Sequence, residues 1–290
     1  MAAMLGGAGR DRNGTRVESD FRQVDVVTAG PAPQQCARRS WTPFTAEVAP
    51  MSGYSLFVAL HVGAGVIALV AFWLNAALRK GSRPHRLVGR TYLIAMAAVI
   101  VSGAPLLVQR VIDGHPATAA FLGYLLLLTA TATWLLWRAV RDRTALHRYT
   151  GPVYGGLAIT NIAAGLGVLL LGLRVDAPLL IGFSAVGLVT GIDMLRKRAR
   201  LAAQPLWWRS EHTAAVIACG VATHIAFLSL GLPRLLPSVD GAALHYLAWF
   251  GPLAVAVVAR VLIARRQRRA MLTRTTRPAV VTTAAADVAR

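Results

Sequence analysis

Charged residues, and acidic ones above all, are scarce in this sequence. Only 15% of its 290 residues are charged and just 12 are aspartate or glutamate, whereas 56% are hydrophobic. Soluble domains carry about 25% charged residues, so this composition excludes an ordinary soluble domain. Cysteine is also scarce, since Cys36 and Cys219 are the only two. A disulfide framework and a cysteine-based metal site are therefore excluded.

The basic residues are numerous, but they do not form a nucleic-acid surface. Lysine and arginine together number 31, and the formal net charge is +19. They lie in short clusters between long apolar runs, and no basic face carries interleaved aromatic residues. Membrane proteins show this pattern because cationic loops are retained in the cytoplasm. The sequence predicts the lipid bilayer as a partner and no nucleic-acid binding, and it leaves protein partners open.

Seven apolar runs are long enough to cross a bilayer as helices, which takes about 20 residues each. Strands of membrane barrels are about half as long and alternate polar with apolar residues. The predicted fold class is therefore all-α, a polytopic membrane bundle of about seven transmembrane helices. The predicted spans are Ser55–Leu78, Gly89–Val108, Thr118–Val140, Gly151–Leu173, Ala177–Leu195, Thr213–Leu232 and Leu244–Ala264.

Arginine and lysine are concentrated in alternate loops. The loops after the first, third and fifth spans and the segment after the seventh are strongly basic. The intervening loops hold one arginine each, Arg110, Arg174 and Arg234. Because basic loops stay in the cytoplasm, the pattern predicts a multi-pass protein of the inner (plasma) membrane. Its N-terminus is expected outside and its C-terminus in the cytoplasm.

The two ends of the chain differ from the apolar centre. Residues 1–50 are rich in Gly, Arg, Asp and Pro without periodicity, so we expect a disordered leader there. Met51 directly precedes the first span, and an alternative is that translation starts at Met51. We expect the transmembrane bundle over residues 51–268 and a disordered cytoplasmic tail over 269–290.

One motif occurs twice, at the starts of the second and fourth spans. The pattern H-R-x-x-G-x-x-Y covers His85–Tyr92 and recurs at an offset of 62 in His147–Tyr154. Gly103 and Gly165 match at the same offset, and Ser210–His212 is a weaker third copy. Recurrence at equivalent positions predicts a bundle built from parallel helical-hairpin repeats.

The spacing of this motif suggests two roles. Residues at i, i+4 and i+7 share a helical face, so the histidine, glycine and tyrosine of each copy are predicted to form one stripe. The glycine would let a neighbouring helix approach closely, and the arginine would hold a phosphate or carboxylate at the helix start. In the alternative, purely architectural role, the arginine extends to lipid phosphate. Besides the histidines, the motif residues are Arg86, Gly89, Tyr92, Arg148, Gly151 and Tyr154.

The first copy carries a family resemblance. His61 in the first span, followed by R-K-G-x-x-x-H-R-x-x-G-R-x-Y ending at Tyr92, resembles an uncharacterised family of bacterial predicted membrane proteins, domain-of-unknown-function family 2306. The resemblance is clearest from Leu60 to Ala95. It implies a membrane topology and no established activity. Pro152 in the second copy departs from the pattern, as does the missing glycine of the third copy.

Histidines inside membrane spans suggest a redox function. His61 and His224 each lie about two turns from the outer end of a span, and two imidazoles at one depth could bind one haem iron. His85, His147 and His212 form a second tier at the cytoplasmic side. A haem-binding protein would be coloured when purified. The alternative is that these histidines are hydrogen-bonded packing residues.

Two functions therefore remain open, and whether the chain is an enzyme stays undecided. The first is a redox protein that binds haem b or acts on quinol through the histidines; no catalytic residue is predicted. The second is a non-enzymatic membrane protein, either a small-solute or proton-coupled transporter or a structural partner. The repeats favour the second and the histidines favour the first.

Other polar and small residues in the spans have local interpretations. Asp193 lies one turn from Arg196 and is expected to form an ion pair. Asn75 and Asn161 are expected to bridge helices. Gly187 and Gly191 form a G-x-x-x-G pattern that predicts helix packing.

Overall fold

The structure is a computed structural model that describes residues 53–237 and 241–275. Within these ranges the regular secondary structure is entirely helical, which confirms the all-α fold class. The long helices are α1 (Gly53–Ala77), α2 (Arg83–Ile112), α3 (Pro116–Arg141), α4 (Pro152–Arg174), α5 (Pro178–Leu201), α6 (Trp207–Ala226) and α7 (Ala242–Thr275). A helical turn, Leu146–Tyr149, precedes α4; a π-helical turn, Phe227–Gly231, and a helical turn, Leu232–Leu235, follow α6.

The described residues include seven helices that are long and apolar enough to cross a membrane. Each coincides with one predicted span, so the chain is a multi-pass integral membrane protein. Several helices extend beyond the apolar runs into the basic loops, because a charged residue does not end a helix. The helix α2, for example, begins at Arg83, where the Ser82 hydroxyl accepts a hydrogen bond from the backbone N–H of His85 at 3.2 Å.

The ends of the bundle differ from the predicted boundaries. The predicted leader, residues 1–50, lies outside the described residues. The helix α7 continues to Thr275, so the first part of the predicted tail, from residue 269 to 275, is helical. Residues 276–290 of that tail lie outside the described part of the chain.

The described chain forms two compact units, divided between Ala215 and Val216. In the first unit the most extensive helix contacts run between α4 and α5 and between α1 and α2. In the second unit the π-helical turn contacts α7. The polar site described below lies in the first unit.

Four glycines allow α4 and α5 to pack closely. A Cβ atom at Gly191 would overlap the backbone oxygen of Ala158, and one at Gly187 would lie 2.6 Å from the Tyr124 hydroxyl. The predicted G-x-x-x-G packing is thereby confirmed. The two other glycines of this contact are Gly165 and Gly172.

The glycines of the H-R-x-x-G-x-x-Y motif do not make such contacts. A Cβ at Gly89 would meet its nearest neighbour, Asn75 Nδ2, at an ordinary 3.8 Å, and one at Gly151 would meet only backbone oxygens of its own turn. The predicted close helix approach at these two glycines is wrong. The close approach is instead made at the repeated pair Gly103 and Gly165. A Cβ at Gly103 would lie 3.1 Å from a side-chain carbon of Leu126, and one at Gly165 would lie 3.0 Å from the Ser184 carbonyl oxygen.

Candidate functional site

The two copies of the motif differ in their backbone. The first copy lies on the continuous helix α2, but the second is divided by a break before Pro152. Proline has no N–H to donate and is favoured in the first helical turn, so α4 starts there with Gly151 as its N-cap. The predicted stripe of His147, Gly151 and Tyr154 on one helix is therefore not formed. His147 is exposed, whereas Tyr154 is buried.

The break directs Tyr149 into the protein interior, where it meets a buried carboxylate. Glu211, near the start of α6, is 6% exposed. The Tyr149 hydroxyl donates to Glu211 Oε2 at 3.0 Å, and Lys197 Nζ donates to Oε1 at 3.3 Å. Lys197 Nζ also lies 2.7 Å from Asp193 Oδ2, one turn away on α5. These four residues, Tyr149, Asp193, Lys197 and Glu211, are called the Glu211 site below.

Aromatic rings surround the Tyr149 side of this site. The Tyr149 ring centroid lies 4.8 Å from Trp207, 5.4 Å from Tyr154 and 6.3 Å from the stacked ring of Trp134. The Tyr154 hydroxyl donates to the Met194 carbonyl at 3.0 Å, which ties α4 to α5. The rings lower the local dielectric, and a charge on Glu211 therefore depends on its two named partners.

An arginine of α3 holds the turn that carries Tyr149. The Arg138 guanidinium pairs with the buried Asp142 and donates to the Arg148 carbonyl at 2.9 Å. It also lies over the Trp134 ring, 5.2 Å from the centroid. In this copy the motif arginine, Arg148, contributes its backbone oxygen while its side chain is exposed.

The histidines of the predicted outer tier have hydrogen-bond partners within their own units. His61 Nδ1 lies 3.1 Å from the Ser102 hydroxyl on α2. His224 Nδ1 donates to the Gly220 carbonyl at 2.7 Å, one turn back on α6. Among the described residues no group of three or more His, Cys, Asp or Glu side chains could hold a metal ion. The haem hypothesis stays a prediction.

The predicted inner tier is divided. His85 and His212 are electrostatic neighbours, and the His212 ring faces the backbone of Leu136. With its amide nitrogen turned toward the acceptors, Asn75 donates to the His85 carbonyl at 2.9 Å and to His85 Nδ1 at 3.2 Å. The amide oxygen of Asn75 then accepts from the Gly89 N–H at 3.1 Å. The predicted bridging role of Asn75 is thus confirmed, whereas His147 contributes nothing to this pair.

The remaining motif side chains have local contacts. Arg86 Nη1 donates to the Gly81 carbonyl at 2.6 Å, at the exposed start of α2. Tyr92 is buried, with its ring centroid 6.3 Å from that of Phe72 on α1. The contact of Tyr92 with Phe72 joins α2 to α1.

A second polar pair lies near the middle of the bundle. Asn161, fully buried in α4, donates through Nδ2 to Thr131 Oγ1 on α3 at 2.9 Å and to its own-helix Leu157 carbonyl at 2.7 Å. The predicted bridging of helices by Asn161 is thereby confirmed. Tyr124 joins α3 to α5 in the same region, since its hydroxyl donates to the Phe183 carbonyl at 2.9 Å and accepts from the Gly187 N–H at 2.7 Å.

The sequence offered one signal for the Glu211 site. Glu211 is the only glutamate among the described residues, and it stands at the start of a long apolar run. Lys197 belongs to the basic segment after the fifth span, and the sequence predicts that Asp193 pairs with Arg196. The structure instead pairs Asp193 with Lys197 and links Lys197 to α6. Tyr149 carried no signal, because it faces inward only through the break before Pro152.

No family model matches this chain, and no curated protein or solved structure matches it significantly. The resemblance to domain-of-unknown-function family 2306 therefore stays a prediction.

Proposed function

We propose that this integral membrane protein is a proton-coupled transporter of a small solute, in which Glu211 takes up and releases the coupling proton. The observation that carries the proposal is the buried Glu211 carboxylate with Tyr149 and Lys197 on its two oxygens. Ionisable groups inside membrane bundles are costly to bury and serve as proton relays in pumps and transporters. A structural role alone would be served as well by an apolar side chain.

Lys197 has an acidic partner in both protonation states of Glu211. When Glu211 is ionised, the Lys197 ammonium lies between Glu211 and Asp193. When Glu211 is protonated, Lys197 keeps Asp193 as a partner at 2.7 Å, so its charge is not left unpaired. The Tyr149 hydroxyl can donate to either form of the carboxyl group. The surroundings therefore tolerate both protonation states, which a proton carrier requires.

Uptake and release need access from two sides, and we propose a defined orientation. The chain lies in the plasma membrane with its N-terminus outside and its C-terminus in the cytoplasm, because alternate loops are basic. The Glu211 site then lies at the cytoplasmic end of the bundle. Reporter fusions after Arg83, Arg143, Arg200 and Arg269 are expected to report cytoplasm, and fusions after Asp113, Asp176 and Asp240 are expected to report the exterior. A single inverted pair of loops would contradict this orientation.

The function is tested with the purified protein in proteoliposomes on a solid-supported membrane. Concentration jumps of single solutes without net charge, drawn from neutral amino acids and sugars, are expected to give a transient current for one class, because the coupled proton is then the only net charge that moves. That current is expected to depend on a pH gradient. Glu211→Gln keeps the shape and the hydrogen bond from Tyr149 but removes the titrating group, so we expect the proton-dependent current to fall at least tenfold.

Asp113→Asn is the matched control, since it also removes one carboxylate but at an exposed helix end. Its current is expected to equal that of the wild type. Two results would overturn the proposal. One is the absence of current for every solute class, and the other is a current that Glu211→Gln leaves unchanged.

A further inference from the structure

The Asn161 side chain has one polar atom that the bundle leaves unsatisfied. Its Nδ2 has two acceptors, Thr131 Oγ1 and the Leu157 carbonyl, and these fix the orientation of the amide. Its Oδ1 is buried and has no hydrogen-bond partner among the described residues. A buried acceptor without a hydrogen bond costs about 1–3 kcal/mol of stability. An unsatisfied oxygen on a fully buried residue therefore requires an explanation.

A groove between α3 and α4 ends about one helical turn from Asn161 and Thr131. It has a volume of about 280 Å³ and is lined mainly by small and apolar side chains, among them Gly123, Leu127, Ala164 and Gly167. Leu127 lies one turn from Thr131, and Ala164 lies one turn from Asn161. A molecule that fills the groove and extends one further turn along α4 would bring a polar group to the Asn161 amide.

We propose that this groove and Asn161 Oδ1 form the solute site of the transporter, and that the solute is a small amphiphile with an N–H or O–H donor. The donor satisfies Asn161 Oδ1, and the apolar part of the molecule fills the groove. Asn161 stands near the middle of α4, and substrate sites of membrane transporters lie near the bilayer midplane. This assignment rests on the proposed function, but it names a site separate from Glu211.

Phenol and anisole test the donor requirement, since they share a ring and differ in the hydroxyl hydrogen. Phenol or anisole is added to the full-length protein in lipid nanodiscs. The two additions are chosen so that both compounds reach the same concentration within the bilayer. Because a ligand of the native state raises the midpoint of thermal unfolding, we expect phenol to raise that of the wild type more than anisole does. Asn161→Leu is expected to abolish this difference.

A second variant tests the site independently, in case Asn161→Leu does not fold. Thr131→Val keeps the shape of the side chain but removes the acceptor that orients the Asn161 amide, and we expect it to reduce the preference for phenol. Thr160→Val is the matched control, because Thr160 is exposed on α4 and donates only to its own helix at Gly156. It is expected to keep the full preference.

The outcomes separate this site from the proposed function. Equal effects of phenol and anisole on the wild type would overturn the site, since the hydroxyl hydrogen would then make no contact that stabilises the protein. A preference retained in Asn161→Leu would overturn it as well. A phenol preference without any solute-driven current would overturn the transporter while the binding site stands. Glu211→Gln is expected to lose current and keep the phenol preference.

Discussion

Gly191→Ala is expected to lower the free energy of unfolding by about 3 kcal/mol, the upper end of the cost of overpacking a well-packed core. The added Cβ would overlap the Ala158 carbonyl oxygen and lie 2.6 Å from a side-chain carbon of Ile162. The first contact is with backbone, which a rotamer change cannot relieve. The helices α4 and α5 would have to separate along their whole contact. Thermal unfolding of the purified protein in detergent measures the loss.

Two alanine variants provide the control for this prediction. Gly156 has open space around its Cβ position and Gly89 has only an ordinary contact at 3.8 Å. In both, alanine raises helix propensity by up to about 1 kcal/mol without a clash. We expect Gly156→Ala and Gly89→Ala to unfold at or above the wild-type midpoint. An equal loss of stability in all three variants would contradict the packing described for Gly191.

Lys197→Met is expected to have the second large effect, lowering the free energy of unfolding by about 3 kcal/mol. Removing one partner of a buried ion pair costs about 3–5 kcal/mol, because the other charge is left uncompensated. The Lys197 side chain is 25% exposed, so the lower end of this range applies, whereas the side chain of its partner Glu211 is only 7% exposed. The measurement is chemical unfolding of the detergent-solubilised protein.

The charge balance of the site predicts which second substitution restores stability. Glu211→Gln alone is expected to cost less than Lys197→Met, because Lys197 retains Asp193 at 2.7 Å. The double variant is expected to be more stable than Lys197→Met, since the uncompensated carboxylate is gone. Lys80→Met, at the only other lysine, is the control; Lys80 is exposed and donates to backbone carbonyls at the end of α1. A double variant less stable than Lys197→Met would contradict the pairing.

The membrane spans could be predicted because their signal is local. An apolar run of about 20 residues specifies a helix whatever its neighbours are, and Ser55–Leu78 corresponds closely to Gly53–Ala77. The packing glycines were only partly predictable. Gly187 and Gly191 carry a recognised spacing, but Gly89 matched its repeat and still lies in ordinary contact. A sequence repeat identifies equivalent positions in the chain, but it does not predict which neighbouring helix packs against each position.

The Glu211 site could not be assembled from the sequence. It joins the turn before α4, the end of α5 and the start of α6, and Tyr149 and Glu211 are 62 residues apart. One backbone break at Pro152 decides that Tyr149 faces inward, while the matching residue of the first copy, Leu87, is 66% exposed on the unbroken helix α2. A single proline therefore made two similar segments structurally different.

The Tyr124 hydroxyl lies between the Gly187 N–H and the Phe183 carbonyl, the two groups that an α-helix ordinarily bonds to each other. It also occupies the space that any side chain at Gly187 would need. A side chain at Gly187 would displace the hydroxyl. Without the hydroxyl, the Gly187 N–H and the Phe183 carbonyl would have to form the ordinary helical hydrogen bond. The effects of substitutions at these two positions on stability are therefore expected to be strongly coupled, although 63 residues separate them in the chain.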